Sequence, residues 1–136
     1  MPQLFNPPAW PVHHRRPVLI SRVAQGTAAE TLALRYLEAR GLTLETRNFR
    51  CRGGELDLIM RDGEYLVFVE VRSRRYARYG IPAESVTRTK QRRLLRAAAL
   101  YLQRRHFDLP CRFDVVAILQ PDDEPRIEWI QDAFQN

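Results

Sequence analysis

Gly53-Gly-Glu-Leu-Asp-Leu-Ile-Met-Arg-Asp-Gly-Glu-Tyr-Leu-Val-Phe-Val-Glu-Val-Arg-Ser-Arg74 has the pattern of a two-stranded hairpin, around which the other elements must pack. Residues 55–61 and 64–72 are two runs of alternating, β-prone residues, and Asp62-Gly63 between them is a strong short-range hairpin signal. With Asp62 and Gly63 as the central residues of a type I′ turn, Arg61 faces Glu64, Asp57 faces Phe68 and Glu55 faces Glu70. Side chains alternate between the faces of a strand, so Glu55, Asp57, Phe68, Glu70 and Arg72 project from one side.

Opposed Cβ atoms in such a pair lie about 5 Å apart and diagonal ones about 7–8 Å, which brings Glu70 within reach of both Glu55 and Asp57. Like charges so placed repel. Two readings account for them. A hard divalent cation such as Mg²⁺ takes one or two carboxylates together with water and substrate phosphate. In the other reading the face is solvated and Arg72 and Arg74 neutralise the acids.

The chain has 136 residues, enough for one compact domain with one core. Its apolar content of 45% and charged content of 28% are ordinary for a globular protein. A net charge of +6 is less so and predicts a polyanionic partner, most simply nucleic acid. Of the 22 basic residues only Lys90 is a lysine.

Cys51 and Cys111 form no Cys-x-x-Cys pair and have no histidines at zinc spacing, so two reduced thiols are expected. No apolar run approaches the roughly 18 residues that span a bilayer. The first residues hold no signal-peptide core, and Arg15-Arg16 is followed only by the short Val18-Leu19-Ile20. The expected location is the cytoplasm, with no membrane partner.

Residues 1–21, rich in proline and carrying His13-His14-Arg15-Arg16, read as a loose tail before a single domain over 22–136. Residues 26–40 have helical spacing, with Thr27 and Glu30 as a capping box and Gly41 as the stop. Residues 42–48 read as a strand that enters the basic turn Arg50-Cys51-Arg52-Gly53-Gly54.

After the hairpin, the loop Ser73-Arg74-Arg75-Tyr76-Ala77-Arg78-Tyr79-Gly80 interleaves arginine with tyrosine, a combination suited to phosphate contacts and base stacking. Residues 84–105 form a second helix, started by Ser85 or Thr87, with Lys90, Arg92, Arg93 and Arg96 on its basic face. Cys111–Leu119 reads as a strand buried on both faces, and Arg126–Ile130 as a short last strand. The order αβββαββ, with a helix between two strand groups, predicts an α/β fold around a mixed sheet.

Several of these blocks occur together in one family. Gly26-x-x-Ala29-Glu30, Asn48-x-Arg50, Gly54-Glu55-Leu56-Asp57-Leu58-Ile59, Phe68-Val69-Glu70-Val71-Arg72-x-Arg74, Lys90 and Arg112-Phe113-Asp114-Val115-Val116 resemble the YraN-type family of small bacterial proteins. That family is similar in turn to archaeal Holliday-junction resolvases and to nucleases of the PD-(D/E)xK, restriction-endonuclease-like fold.

The resemblance implies a four-stranded mixed sheet flanked by helices and a metal-dependent endonuclease that hydrolyses DNA, with branched or damaged DNA as candidate substrates. It implies Mg²⁺ or Mn²⁺ held by Asp57, Glu70 and the Val71 carbonyl, with Glu30 reaching in from the first helix. Arg72 and Lys90 are its further catalytic candidates, and a homodimer would suit a two-fold symmetric junction. Arg50, Arg52, Arg74, Arg75, Arg92 and Arg93 are the candidate nucleic-acid contacts.

The sequence departs from the nuclease pattern at Arg72, where the motif has lysine. Arginine stays charged at any accessible pH, so Arg72 could orient a phosphate but not act as a base. The alternative expectation is therefore a weakened or inactive nucleic-acid-binding module that keeps the nuclease fold.

Overall fold

The computed structural model describes residues 22–74, 86–106, 108–119 and 124–135. The expected tail over 1–21, the Arg-Tyr loop beyond Arg74 and Ser85 lie outside the described residues. Helix α1 (Arg22–Glu38) leads to β1 (Thr43–Cys51), β2 (Gly54–Asp62) and β3 (Tyr65–Arg74). Helix α2 (Arg88–Arg105) then precedes β4 (Cys111–Leu119) and β5 (Arg126–Phe134).

The strands form one five-stranded sheet in the order β1-β2-β3-β4-β5. Neighbours pair antiparallel except β3 and β4, which run parallel on either side of the α2 connection. The order αβββαββ and the mixed sheet agree with the restriction-endonuclease-like architecture expected above, and the fifth strand extends the four that the resemblance implied.

Alternation along the strands builds a core on each face. On one, Ala29, Leu32, Ala33 and Leu37 of α1 pack against Leu58, Met60, Val67, Val69, Val116 and Ile118. On the other, Leu94, Ala97, Ala98 and Tyr101 of α2 pack against Ile59, Leu66, Phe68, Phe113 and Val115. Burying one large aliphatic side chain contributes about 1.5–3 kcal/mol, so the two apolar helix faces hold their helices in place. As its composition suggests, β4 is buried on both sides.

Three local expectations are corrected. The hairpin register slides: Asp62 pairs with Tyr65, Ile59 with Phe68 and Leu58 with Val69, so the central turn residues are Gly63 and Glu64. Gly63 has φ +61° while Glu64 keeps a negative φ, the pattern of a type II′ turn with glycine first. Asp62 is instead a strand end held by Arg112, whose Nη2 donates to its Oδ2 at 2.7 Å.

Second, α1 begins at Arg22, so Thr27 lies inside the helix and caps nothing. Its carbonyl accepts from Thr31 Oγ1 at 2.9 Å and from Arg47 Nη2 at 3.3 Å. Third, β5 runs on to Phe134, past an irregularity at which Asp132 adopts φ +52° and donates its N–H to Asp114 Oδ1 at 2.9 Å.

Other signals are as read. Gly41, at φ +98°, ends α1 with the paired bonds Gly41 N–H to Glu38 and Leu42 N–H to Leu37 that close a Schellman motif. Thr87 caps α2, its hydroxyl accepting from the Lys90 N–H at 3.2 Å. Asp114, fully buried in β4, was not anticipated as a polar centre. It accepts from Arg112 Nε at 3.0 Å, from Trp129 Nε1 at 2.9 Å and from the Asp132 backbone.

Helix α2 meets the β1–β2 turn through glycine. A side chain on Gly54 would collide with the Arg93 carbonyl oxygen and press on Ala97 Cβ. Overpacking of this kind costs about 1–3 kcal/mol. Gly54→Ala is therefore expected to lower the urea midpoint by a destabilisation of that size; an unchanged midpoint would show that α2 is not held against this turn.

Candidate active site

The end of the hairpin ladder decides which acids meet. The pairing of β2 with β3 stops at Leu58–Val69, and alternation breaks at Asp57, with Leu56 turned to the α2 core and Leu58 to the α1 core. Asp57 leaves the ladder there, and its carboxyl lies close enough to Glu70 for the Glu70 charge to bear on it. The β3 backbone also holds Asp57, with the Val71 N–H donating to its Oδ2 at 2.9 Å. An extended residue directs its N–H and C=O towards the same neighbouring strand, so the Val71 carbonyl faces β2 as well.

Glu30, relieved of a capping role, enters from α1. Its carboxyl is half-buried and lies near enough to Asp57 and Asn48 for both to temper the rise that burial gives it. Asn48 lies between the pairs Arg47–Leu58 and Phe49–Leu56 and has φ +56°, a left-handed conformation that asparagine accepts more readily than most residues. Arg47 donates to Thr31 Oγ1 at 2.6 Å, and its charge also bears on Glu30. The acid trio is thus Glu30, Asp57 and Glu70, not the hairpin trio with Glu55. Glu55 turns to solvent against Arg50, its Oε2 3.5 Å from Arg50 Nε.

Two cations answer Glu70. Lys90 Nζ is 2.7 Å from Glu70 Oε2, and Arg72 Nη1 is 3.8 Å from the same oxygen. The Glu70 side chain is only 6% exposed, against 16% for Arg72 and 38% for Lys90. Lys90 reaches this position because Thr87 starts the helix at the mouth of the cleft, and the packing at Gly54 brings α2 close to the hairpin.

Glu30, Asp57, Glu70, Val71 and Lys90 line a cleft of about 850 Å³ that also takes in Arg50, Gly53, Gly54, Thr87, Thr89, Arg93 and, at its open side, Glu55. Of the remaining basic candidates, Arg52 is exposed at the β1–β2 turn and Arg92 is exposed on α2. The Arg74 side chain and Arg75 lie outside the described residues. Asn48, Arg47 and Thr87 bear on the site without having been singled out for it. Asn48 belongs to the family block Asn48-x-Arg50, but only its left-handed backbone and its nearness to Glu30 give it a place in the site.

The electrostatics are under load. Burial, then the neighbouring Glu70 charge, push the Asp57 carboxyl up to about 8, against the pull of the Val71 N–H. Burial also raises Glu30, while Arg47 opposes the rise. Among the described residues, no three of His, Cys, Asp and Glu already form a closed metal-ligand cluster.

The acids are arranged about Asp57, with one Glu70 oxygen taken by Lys90 and one Asp57 oxygen by a backbone N–H. All the donors are oxygens, and burial first, then the Glu70 charge, disfavours a negative charge on Asp57. A hard divalent cation bound through one or two carboxylates suits such a set, and Asp57 and Glu70 are the residues that could hold it.

An α/β sheet with an acid pair on its central hairpin and a basic cleft above it defines the class of protein. Residues 29–118 match the uncharacterised protein family UPF0102, the YraN family, and the chain belongs to it. A UPF0102 protein of Ralstonia pickettii is 56% identical over 116 residues, covering 82% of this chain and 90% of its own length. Relatives of the same description from Hahella chejuensis and Nitrosococcus oceani are 47% and 52% identical, covering 85% and 82% of this chain and 94% and 91% of their own. No described helix is long and apolar enough to cross a membrane.

The Asp57 shift has a signed consequence for stability. Its carboxyl is raised when folded, so its contribution is complete below the unfolded pKa near 4 and is lost as pH rises towards about 8. With metal chelated, Asp57→Asn is expected to gain stability over the unmodified chain between pH 5 and pH 8, by more than about 1.4 kcal/mol, the worth of one pKa unit. Parallel pH series of thermal melts check this, and a gap that stays constant with pH would contradict the shift.

Proposed function

We propose that the cleft is the active site of a metal-dependent nuclease that hydrolyses phosphodiesters of DNA. The observation that carries this reading is the close pair Asp57 and Glu70, in which burial and then the Glu70 charge raise Asp57 to about 8, beneath a basic rim of Arg50, Lys90 and Arg93. The net charge of +6 suits a polyanionic substrate. In this reading Mg²⁺ or Mn²⁺ is held by Asp57, Glu70 and the Val71 carbonyl, with Glu30 steadying Asp57. When bound, the ion polarises a phosphoryl oxygen and lowers the pKa of its water.

The chain's own residues do the rest. Arg50 and Arg93 take flanking phosphates, which positions the strand without reading its bases. Hydrolysis forms a P–O bond to the water oxygen and breaks one to the sugar, and the water's proton ends on the leaving alkoxide. Arg72 offsets charge that gathers on the phosphoryl oxygens but cannot accept a proton. The proposal extends to branched or damaged DNA as substrate, a cytoplasmic location and a two-fold homodimer.

Arg72 also favours a second reading, a module that grips nucleic acid and no longer cuts. Supercoiled plasmid and a four-way DNA junction incubated with Mg²⁺ or Mn²⁺ separate the two. Under the first reading the unmodified protein cleaves, and Asp57→Ala and Glu70→Ala reduce cleavage to background. Cleavage that appears only in Arg72→Lys supports the second.

Under both readings, affinity falls with salt, and replacing Arg50 and Arg93 together by alanine flattens the plot of log K against log salt by about 1.8, roughly 0.9 per lost phosphate contact. Neither cleavage nor salt-dependent binding would reject both.

A further inference from the structure

Glu70 Oε2 is approached by two cations of different chemistry. Arg72 leaves β3 two residues after Glu70, is mostly buried, and carries a planar guanidinium that stays charged. Lys90 arrives on a flexible four-carbon stem from a different element, lies closer to the oxygen, and is the more exposed of the two. Its backbone is fixed by the Thr87 cap, so the side chain can move while the helix stays. Beyond it the cleft opens towards Thr89, Arg93 and Arg50, where a phosphate backbone would lie in the reading above.

An ammonium 2.7 Å from a carboxylate oxygen and a divalent ion at the roughly 2.0–2.1 Å of a Mg–O bond cannot share that oxygen without strong repulsion. We propose that Lys90 is an exchangeable cation of this site: it neutralises Glu70 before metal binds, yields the oxygen to the metal, and then contacts the substrate phosphate. This rests on the reading of Asp57 and Glu70 as the metal-holding pair. It also accounts for Arg72 at the place of the motif lysine, since the mobile ammonium is supplied from α2.

Two opposite effects follow from one side chain. Lys90 weakens metal binding by competing for Glu70, and it promotes cleavage by meeting the phosphate. A residue that merely braced the fold would not improve metal affinity when removed.

Binding of Mn²⁺ to the full chain, read from the electron paramagnetic resonance signal of the free ion, is compared with plasmid cleavage at saturating Mn²⁺. Lys90→Met is expected to bind Mn²⁺ about tenfold more tightly, as loss of a competing charge a few ångströms away allows, yet to cleave at least tenfold more slowly. Lys90→Arg keeps the competing charge and is expected to hold Mn²⁺ affinity near that of the unmodified chain. Arg72→Lys placed in the Lys90→Met background is expected to restore part of the cleavage.

Mn²⁺ affinity that is unchanged or weaker in Lys90→Met, or cleavage as fast as in the unmodified chain, overturns the proposal while leaving the nuclease reading intact. If the unmodified chain takes up no Mn²⁺ and cuts no DNA, the nuclease reading itself has failed, and this inference falls with it.

Discussion

Asp57 and Glu70 lie close together on the β2–β3 hairpin, and most of what distinguishes this structure is arranged around that unfavourable meeting. They meet where the ladder ends, beyond a hairpin that is fixed in register: Leu58, Ile59 and Met60 against Val67, Phe68 and Val69 cannot slide without exposing its core. The cost is visible in Asp57, raised to about 8 by burial and by Glu70. Its neighbours mitigate that cost without removing it: the Val71 N–H on Asp57, Lys90 and Arg72 on Glu70, Arg47 near Glu30.

The scaffold keeps these groups converging. Gly54 lets α2 lie directly against the β1–β2 turn, and the Thr87 cap fixes where the helix begins, which together bring Lys90 to Glu70. At the other end of the hairpin, Arg112 bridges Asp62 and the buried Asp114, and Trp129 and the Asp132 backbone complete that network. A buried carboxylate with these partners is costly to disturb, because losing one leaves charge unpaired away from water. The network ties β2, β4 and β5 together at the turn end of the hairpin, away from the cleft.

Much of this was legible in the sequence. Alternation over 55–61 and 64–72 marks the hairpin, although Asp62-Gly63 reads as its turn one residue early. That error was physical: Asp-Gly can occupy both central positions of a type I′ turn, whereas here Gly63 opens a type II′ turn and Asp62 is drawn back by Arg112, a partner distant in sequence.

Glu30 was obscured in the same way, because Thr27 and Glu30 fit a capping box that an earlier helix start made unnecessary. The part played by Asp114 is not legible in the sequence, because Arg112, Trp129 and Asp132 meet it only through folding. The family blocks pointed to Lys90, but only the packing of α2 on Gly54 reveals what it touches.

On the proposed reading, Asp57 and Glu70 together hold a divalent cation. The direct measurement is the thermal midpoint of the full chain at pH 7.5 as Mn²⁺ is raised from zero. A ligand bound only by the folded state stabilises it by RT ln(1 + [L]/Kd), about 2.7 kcal/mol at a hundredfold excess over Kd. The account predicts a midpoint that climbs with the logarithm of Mn²⁺ concentration in the unmodified chain and stays flat in Glu70→Gln. A flat midpoint in the unmodified chain, or an equal climb in both, would contradict it.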